Sequence, residues 1–397
     1  MSRIVITGVG VVTAIGVGVG ENLSGLRAGH TGVGPTAHLD SKYAGTIPLG
    51  EVKLSQNQLF DELDLKPGRG LARTDLLALL AFREACASAD LSPSEISSMD
   101  TAFLSASTVG GMTETRSIHG DTNTHTEPSE FVYSYRSGAH TLQIIDIHGL
   151  KGPIDTINTA CSSSANSIMM GARLLASGRT KRVIVGGADG LSRYTVNGFN
   201  ALQILSSEPT RPFDANRDGL NLGEGAAYLI LEREEDLNGK KAFAVLSGFG
   251  NANDAYHPSA MDPNATGVRA AINGALKSAG LKPENIDHVN AHGTGTENND
   301  QIELTGMTHV FGEVPPFVST KSYTGHTLAA AGAVESVFSI LNLKYQELYP
   351  SLNFETPMPG FLHTPHTEYS KEIKIENVLS NSFGFGGNCS SLIYSKY

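Results

Sequence analysis

The sequence predicts an α/β fold that contains two copies of one strand–turn–helix plan. The chain opens with RIVITGVGVVTAIG (3–16), and AFAVLSGFGNANDAYH (242–257) repeats this strand with two closely spaced glycines. INTACSSSANSIMMGARLLASG (157–178) and FVSTKSYTGHTLAAAGAVESVFSILNL (317–343) each join a strand, a polar turn and a helix of small residues. Such alternation of strands with helices, repeated at the size of a domain, is typical of a duplicated α/β fold.

The repeat divides the chain into two halves, residues 1–240 and 241–397. The 397-residue chain is 40% hydrophobic and carries a net charge of −11, which argues against nucleic acid as a partner. Its three widely spaced cysteines form neither a disulfide framework nor a CxxC metal pair. No apolar run approaches the ~18 residues of a membrane span, and the N-terminus enters a strand at once, without a signal peptide. We therefore expect a cytoplasmic protein that holds no metal.

The N-terminal half begins with a buried strand (3–8) that runs into two glycines, Gly8 and Gly10. A dinucleotide-binding GxGxxG motif would need a third glycine where Thr13 stands, and an acidic residue about 20 positions further on is also missing. We therefore predict a tight turn at these glycines. Apolar residues at helical spacing then predict a helix over 73–89.

The segment 113–130 is polar and irregular, and we predict a surface loop there. It contains four potential metal ligands, His119, Asp121, His125 and Glu127. No helix or other rigid spacing brings these side chains together, so we expect no metal site. Apolar runs predict strands at 101–107, 182–189 and 226–231.

Cys161 lies on the turn before a predicted helix. Apolar residues recur after it at every third or fourth position, which predicts a helix with one buried face. They are Ala165, Ile168, Met169, Ala172, Leu175 and Ala176. Ser162, Ser163 and Ser164 suit an N-cap, and Gly178 suits the far end. Because a helix N-terminus presents unpaired N–H groups and partial positive charge, it favours the thiolate, which attacks acyl carbon atoms. The alternative is a buried structural cysteine.

Three reactive residues lie on polar turns of the C-terminal half. His292 is in NAHGTGT, and Lys321 and His326 are in STKSYTGH, and each turn directly follows an apolar strand. Loops at strand ends converge in an α/β sheet. We therefore expect these side chains to face Cys161, which favours a reactive cysteine over a structural one.

Taken together, the motifs resemble one family over almost the whole chain. TACSSS, DAYHPS, NAHGTGT with Asp300, STKSYTGH, AAGAVES and NSFGFGG occur in the order and spacing of the β-ketoacyl-acyl-carrier-protein synthases. These condensing enzymes have the thiolase fold, so the resemblance implies two βα halves packed as an αβαβα sandwich. The chain resembles the elongating type with a Cys-His-His triad. Initiating ketosynthases carry Asn, and thiolases a second Cys, where this chain has His326.

The resemblance implies a decarboxylative condensation that lengthens an acyl chain by two carbons. Cys161 would accept the acyl chain, and neutral His292 and His326 would hold the enolate formed from a malonyl thioester. Lys321 is implied to act electrostatically. The backbone N–H groups of Cys161 and Phe385 are implied to form the oxyanion hole, and the Phe385 ring matches a gate between acyl pocket and malonyl entrance. The other implied residues are Glu335 as partner of Lys321, Asp300 and Glu303 as orienting groups, Gly384, Gly386 and Gly387 for close approach, and Thr294 and Thr296 as contacts of the phosphopantetheine arm.

The resemblance also implies partners. An acyl carrier protein would bring its own phosphopantetheine, so we expect no separate cofactor. We expect a homodimer, or a heterodimer with a chain-length partner. The loop 125–131 is acidic where the family often has basic residues, so docking of the carrier would fall to Lys66, Arg69, Arg73 and Arg211. The segment 132–143, where the family builds pocket and dimer contacts, is unusually polar, which leaves a fatty-acid and a polyketide or polyene product open.

Two other functions remain open at the level of sequence. A non-catalytic chain-length partner lacks the nucleophile, whereas this chain has Cys161 and both histidines. A cysteine hydrolase admits water to the acyl-enzyme and uses one His with an orienting Asn or Asp. Two histidines with Lys321 suit an enolate better. Chain length, unsaturation and the cognate carrier protein are not encoded in these patterns.

Overall fold

A computed structural model describes residues 2–68, 70–124, 126–237 and 239–397. Arg69, a predicted docking residue, and His125, a potential metal ligand, lie outside this description. The strands are β1 (Ile4–Thr13), β2 (Gly16–Val17), β3 (Val33–Gly34), β4 (Leu49–Gly50), β5 (Thr101–Ala106), β6 (Ile154–Ile157), β7 (Arg182–Asp189), β8 (Gly225–Arg233), β9 (Ala244–Asn253), β10 (His288–Asn290), β11 (Phe317–Val318), β12 (Glu347–Leu348), β13 (Ser370–Lys371), β14 (Asn377–Gly384) and β15 (Asn388–Ser395). The helices are α1 (Val19–Arg27), α2 (Gln56–Glu62), α3 (Arg73–Ser88), α4 (Pro93–Ile96), α5 (Thr115–Thr124), α6 (Ala139–His148), α7 (Ser163–Ala176), α8 (Arg193–Ala201), α9 (Thr266–Ala279), α10 (Glu297–Phe311), α11 (Lys321–Thr324) and α12 (Ala331–Tyr345).

The main sheet has the same strand order in both halves when it is followed outward from its centre. The order is β11-β10-β14-β15-β9-β1-β8-β7-β5-β6, and β2 pairs with β1. β1 and β9 pair antiparallel at the centre, where Val5 lies opposite Val245. Outward from this pair, each half adds two antiparallel strands and then two parallel ones. The order therefore shows the duplication that the sequence predicts.

Helices separate and cover the two half-sheets in five layers. α7 and α12 pack against each other between the half-sheets, α7 on β7 and α12 on both β14 and β8. α3 covers β1 and β8 on one outer face, and α9 covers β9 and β15 on the other. Ile168 and Val337 belong to the central apolar core, Leu77 to one outer core and Ile272 to the other. This αβαβα arrangement confirms the predicted fold class.

The paired glycines of β1 and β9 let a helix approach the sheet closely. A Cβ at Gly10 would lie 2.1 Å from the carbonyl oxygen of Ala81 in α3, and a Cβ at Gly250 would lie 2.1 Å from that of Ala271 in α9. The prediction of a tight turn at Gly8 and Gly10 is therefore wrong. Both glycines lie inside β1, and their missing side chains make room for a helix.

The segment 113–130, for which we predicted a surface loop, contains the helix α5. It has no buried residue, so it lacks the apolar stripe that identifies a helix in a sequence. Among the described residues, no group of His, Cys, Asp and Glu has an arrangement that could hold a metal ion. Within the same part of the chain, no helix is long and apolar enough to cross a membrane.

Candidate active site

Turns from both halves enclose one cavity of about 610 Å³. Cys161, just before α7, lines it from the N-terminal half, and His292 and His326 line it from the C-terminal half. The turns after β10 and α11 thus meet the turn after β6, as the positions of the strand ends predict. Thr294, Thr296, Gly384, Phe385, Gly386 and Gly387 also line the cavity.

The Cys161 turn is held by close backbone contacts. Ala160 has a φ of +54°, a left-handed conformation that is uncommon for residues with a side chain. Gly384 comes so close that a Cβ there would lie 2.6 Å from the carbonyl oxygen of Thr159. This approach brings the backbone N–H of Phe385 to the thiol, which also receives the N–H of Cys161 itself. The two N–H groups can therefore donate to the oxyanion that forms on an acyl carbonyl oxygen when the sulfur attacks the carbonyl carbon.

Burial dominates the electrostatics of the thiol. Cys161 is 7% exposed, and burial raises the pKa of its thiol to about 11, while Lys321 and the N–H of Phe385 lower it. Burial therefore outweighs the preference of a helix N-terminus for the thiolate, and the thiol keeps its proton at neutral pH. Ser162 is the N-cap residue of α7 without a side-chain capping bond, and its hydroxyl donates to Oδ1 of Asn388 at 2.7 Å instead.

Hydrogen bonds determine which ring nitrogen of His326 carries the proton. The backbone N–H of Leu328 donates to Nδ1 at 3.3 Å, so the proton of the neutral ring lies on Nε2. Within the described structure Nε2 is buried without a partner, although buried polar atoms are almost always hydrogen-bonded. Burial and then Lys321 lower the pKa of His326 well below its ordinary value. His326 is therefore a neutral ring with an unused donor.

Lys321 fixes the tautomer of His292. Its Nζ lies 3.3 Å from Nδ1 of His292, donates to the carbonyl oxygen of His292 at 2.6 Å, and pairs with Oε1 of Glu335. An ammonium group only donates, so Nδ1 accepts and Nε2 carries the proton. Burial, followed by the charge of Lys321, lowers the pKa of His292 well below its ordinary value. The centroids of the His292 and His326 rings lie 5.4 Å apart.

Two buried carboxylates hold the turn that carries His292. Glu303 accepts the backbone N–H groups of His292 and Gly293, each at 2.8 Å. Asp300 accepts the backbone N–H of Thr294 at 3.0 Å. Burial raises the pKa of Glu303 to about 7, while these N–H groups lower it. Both carboxylates contact the backbone of the turn, so they orient it from behind.

Phe385 lies at the cavity in a stacked pair with Phe199. The ring centroids are 6.0 Å apart with an interplanar angle of 16°, and Phe385 is 39% exposed, so it is not an ordinary core residue. Gly386 and Gly387 follow with φ values of +86° and +82°, which favour glycine. The ring is therefore carried by a tight turn at the cavity wall.

Sequence reasoning missed two polar residues of the site. Arg217 lines the cavity beside the two threonines, and its Nε donates to the carbonyl oxygen of Thr296 at 3.2 Å. Asp189 lies buried behind Cys161 and raises the pKa of its thiol. Arg217 lies in a loop and Asp189 ends strand β7, and no local signal in the sequence marks either residue.

Arg73 was wrongly predicted as a docking residue. Its side chain is 13% exposed and forms an ion pair with the buried Glu224 at 2.6 Å. Its Nη1 and Nη2 also donate to backbone carbonyl groups, each at 2.9 Å. A guanidinium group that uses its donors inside the protein is not available to a partner. Lys66 is exposed and Arg211 is half-buried.

Comparison with known proteins decides the family. The N-terminal domain model of the β-ketoacyl synthases matches residues 1–237, and the C-terminal domain model matches residues 243–355. The chain belongs to the β-ketoacyl synthase family. The 3-oxoacyl-[acyl-carrier-protein] synthase 2 of Coxiella burnetii is 34% identical over 99% of this chain and 98% of its own length. The protein of the same name from Synechocystis is 33% identical, covering 100% and 98%. This ketosynthase is thus a condensing acyltransferase of the elongating type.

Solved ketosynthases share the complete fold of this family member. The ishigamide ketosynthase/chain length factor has a TM-score of 0.92 and 29% identity, covering 100% of this chain and 99% of that chain. A β-ketoacyl synthase from Burkholderia phymatum has a TM-score of 0.88 and 31% identity, with 100% of both chains covered. A ketosynthase from Xenorhabdus doucetiae, in complex with its chain length factor, has a TM-score of 0.87 and 32% identity, covering 100% and 98%. The thiolase-like fold implied by the sequence is confirmed.

Proposed function

We propose that this ketosynthase condenses an acyl chain on Cys161 with a malonyl group on an acyl carrier protein, with loss of carbon dioxide. The observation that carries the proposal is the pair of neutral imidazoles, His292 and His326, which line the same cavity as the thiol and have Nδ1 already in use. A hydrolase needs one histidine as a base. Two fixed N–H donors suit an oxygen atom that becomes negative during the reaction.

The first step transfers the acyl chain to Cys161. The sulfur attacks the carbonyl carbon of the acyl thioester, and the oxygen becomes negative beside the N–H groups of Cys161 and Phe385. The bond to the carrier's sulfur then breaks, and the departing sulfur takes up the proton that the Cys161 thiol loses. Because one thioester replaces another, the step changes the free energy little.

The second step forms the new carbon–carbon bond. Loss of carbon dioxide from the malonyl thioester leaves an enolate, whose oxygen accepts the Nε2–H groups of His292 and His326. Such a donor is typically worth about 3 kcal/mol in the transition state. The enolate carbon attacks the acyl carbonyl on Cys161, and the cysteine leaves as a thiolate. Lys321 favours that thiolate, since its charge lowers the thiol pKa.

Lys321 acts from behind the histidines. Its ammonium group is bound by Glu335 and by the carbonyl oxygen of His292, and its side chain is 3% exposed. Its charge lowers the pKa of both imidazoles and so keeps them neutral donors. Glu303 and Asp300 orient the backbone of the His292 turn.

The substrate arm and its gate belong to the same proposal. Thr294 and Thr296 line the cavity with hydroxyl oxygens 2.9 Å apart, and we assign them to the phosphopantetheine arm. This arm arrives on the carrier protein, so the proposal includes no resident cofactor. The exposed Phe385, stacked on Phe199, is the proposed gate between the acyl pocket and the malonyl entrance.

Two partners are part of the proposal. We assign docking of the acyl carrier protein to Lys66 and Arg211. A second ketosynthase-like chain, either a copy of this one or a chain-length partner, is proposed because β6 is an edge strand, and exposed edges pair with other chains. Large apolar side chains also remain exposed at Val132, Tyr133, Tyr135 and Leu142. We place the protein in the cytoplasm and divide its halves between residues 240 and 241.

Product analysis tests the proposed function. The purified protein is incubated with a panel of acyl-carrier thioesters and then with malonyl-carrier protein, and intact mass, carbon dioxide and products are measured. We expect an acyl adduct, carbon dioxide and a β-ketoacyl product two carbons longer. Cys161→Ala must abolish the adduct, whereas Cys86→Ala, which removes another buried thiol, must retain it. Release of free acid would indicate a hydrolase, and the absence of any adduct would also contradict the proposal.

A further inference from the structure

Asp189 is a buried carboxylate that joins two turns beside the active site. It ends β7 and has no exposed surface. Its oxygens accept the hydroxyl of Ser107 at 2.6 Å, the N–H of Thr108 at 3.1 Å and its hydroxyl at 2.6 Å. They also accept the N–H of Val109 at 3.0 Å and that of Ala329 at 2.9 Å. Because every contact is a donor, the site suits an ionised carboxylate, which only accepts.

This charge has no ionic partner. Among the described residues, no Lys, Arg or His lies within ion-pair distance of Asp189, and dipoles of N–H and hydroxyl groups surround it. Burial of an ionised carboxylate without a counter-ion costs stability, and burial raises the Asp189 pKa accordingly. The presence of a buried carboxylate at this position, despite its cost in stability, indicates that Asp189 has a role that a neutral side chain does not fill.

One of the donors links Asp189 to His326. Leu328 provides the N–H that fixes the His326 tautomer, and it has a φ of +53°. Such a conformation is unfavourable for leucine and persists only where its surroundings hold it. The next N–H along the chain, that of Ala329, is the one that Asp189 accepts. The carboxylate therefore holds the backbone on the far side of the strained residue.

In the C-terminal half, the strand end equivalent to that of Asp189 leads into the turn whose Phe385 N–H contacts the Cys161 thiol. β7 and β14 occupy equivalent places in the sheet order. Gly384, at the end of β14, approaches the Cys161 turn before α7, and Asp189, at the end of β7, binds the His326 turn before α12. Each half thus supports the reactive turn of the other half at the same place in the fold.

We propose that Asp189 is a positioning residue for His326, which holds the turn after His326 so that the Nε2–H group stays fixed as a donor. The catalytic consequence rests on the proposed function, whereas the link between Asp189 and the His326 tautomer does not. Asp189 does not touch the substrate. Asp189 also accepts the N–H of Val109, which lies in one apolar cluster with Leu328. The same carboxylate therefore binds both the turn after β5 and the turn after His326.

The test compares Asp189→Asn with Asp287→Asn. The amide replaces one acceptor oxygen with an NH₂ group that faces other donors, which loosens the His326 turn. Asp287 is the matched control because its carboxylate also accepts two backbone N–H groups, those of Glu376 at 2.7 Å and Asn377 at 2.9 Å. Asn377 is the first residue of β14, at the end of the strand opposite the active site.

Histidine-selective ¹⁵N NMR measures the tautomer of His326, whose signals are assigned by their loss in His326→Ala. We expect a single Nε2–H tautomer in the unaltered protein and in Asp287→Asn, and a second tautomer or a changed shift in Asp189→Asn. Identical His326 signals in all three proteins would overturn the proposal. This measurement does not depend on turnover, so it tests the link between Asp189 and the His326 tautomer even in a protein that releases no carbon dioxide. The absence of carbon dioxide release would contradict only the proposed function.

The two half-reactions provide a second readout. Asp189→Asn is expected to lower kcat for carbon dioxide release from malonyl-carrier protein about 10- to 100-fold, as misplacement of a catalytic group does, with KM unchanged and acylation of Cys161 retained. Equal losses in both half-reactions would show a merely structural role and overturn the proposal. If Asp189→Asn does not fold, Thr108→Val removes one donor to the carboxylate, and it should give the same split with a smaller loss.

Discussion

The two halves of the molecule share one fold, but their reactive turns carry different chemistry. In the N-terminal half, a single thiol lies before α7 and receives backbone N–H groups of Cys161 and Phe385. In the C-terminal half, two imidazoles are fixed by Lys321 and by the backbone of Leu328. The duplication places strand ends of both halves at one cavity. In the proposed function, divergence of the turns gives one half the acyl group and the other half the enolate.

One buried cation connects these two chemistries. Burial raises the pKa of the Cys161 thiol and the charge of Lys321 opposes this rise, whereas for His292 and His326 burial and the charge of Lys321 both lower the pKa. A lower thiol pKa makes the cysteine a better leaving group, and a lower imidazole pKa keeps both rings neutral. The comparison therefore predicts that the two half-reactions can be separated by mutation on either side of Lys321.

Cys161→Ala should give the largest separation. We expect condensation to fall about 10⁴-fold or more, because the covalent route is lost. Release of carbon dioxide from malonyl-carrier protein should continue, since it depends on His292 and His326. Both quantities can be measured on the same sample. Loss of carbon dioxide release together with condensation would contradict the division between the halves.

His326→Ala should give the reciprocal result. The loss of one fixed donor to the enolate should slow carbon dioxide release and condensation about 10²- to 10³-fold, while the acyl adduct on Cys161 still forms. His309→Ala is the control, because His309 is exposed and its Nδ1 contacts only its own helix. If His326→Ala also failed to form the adduct, the histidine would belong to both half-reactions.

Gly384→Ala tests the contact between the halves at the thiol. The new Cβ would lie 2.6 Å from the carbonyl oxygen of Thr159 and would push the Phe385 N–H away from the sulfur. We expect acylation to slow about 10²-fold. Gly20→Ala is the control, since a Cβ there meets nothing within 4 Å. Acylation at the unaltered rate in Gly384→Ala would exclude the Phe385 N–H as an oxyanion donor.

Gly10→Ala and Gly250→Ala test the structural equivalence of the halves. Each new Cβ would lie 2.1 Å from a helix carbonyl oxygen, so each helix must move away from its strand. We expect both variants to lose about 1–3 kcal/mol of unfolding free energy, as overpacked cores do, and by similar amounts. Urea unfolding curves measure both losses. A large loss in one half only would show that the two helices do not pack equivalently.

Asp75 gives the N-terminal half a pH-dependent stability. Burial raises the pKa of its carboxyl group from 3.8 to about 7. The folded state binds the Asp75 proton more tightly than the unfolded state does. Protonation of Asp75 therefore contributes fully to the unfolding free energy below pH 3.8, and this contribution is lost as the pH rises through 7.

Asp75→Asn removes this titration, and its amide oxygen can still accept the N–H of Ala72. Between pH 5 and pH 8, the unfolding free energy of the variant should therefore fall less than that of the unaltered protein, by about 1–3 kcal/mol. Parallel falls in the two proteins would show that Asp75 does not titrate in this range.

The fold and the reactive residues could be predicted because their signals are local. Cys161, His292, Lys321 and His326 are chemically distinct residues directly after apolar runs, and the repeated strand–turn–helix plan is visible in the letters. The tight turn predicted at Gly8 was wrong because only the packed position of α3 shows why a strand needs a glycine there.

Glu335, Asp300 and Glu303 were named through the family resemblance, but the roles of Arg73 and Asp189 could not be predicted because they depend on distant partners. Arg73 resembles a surface cation until Glu224, far along the chain, is seen to bind it. Asp189 resembles any aspartate in a glycine-rich turn, and its role depends on Ala329 of the other half. Likewise, the resting state of Cys161 depends on burial, which the helix N-terminus alone does not reveal.

The joint action of the two halves on one substrate pair is tested most directly by a rapid-quench time course of the acyl-Cys161 adduct in the unaltered protein. The acylated enzyme is mixed with malonyl-carrier protein, and adduct, carbon dioxide and β-ketoacyl product are measured in the same samples. We expect the adduct to be stable in water alone and to disappear at the rate at which carbon dioxide and product form. Discharge of the adduct without malonyl-carrier protein, or release of carbon dioxide while the adduct persists, would contradict the joint action of the two halves on one substrate pair.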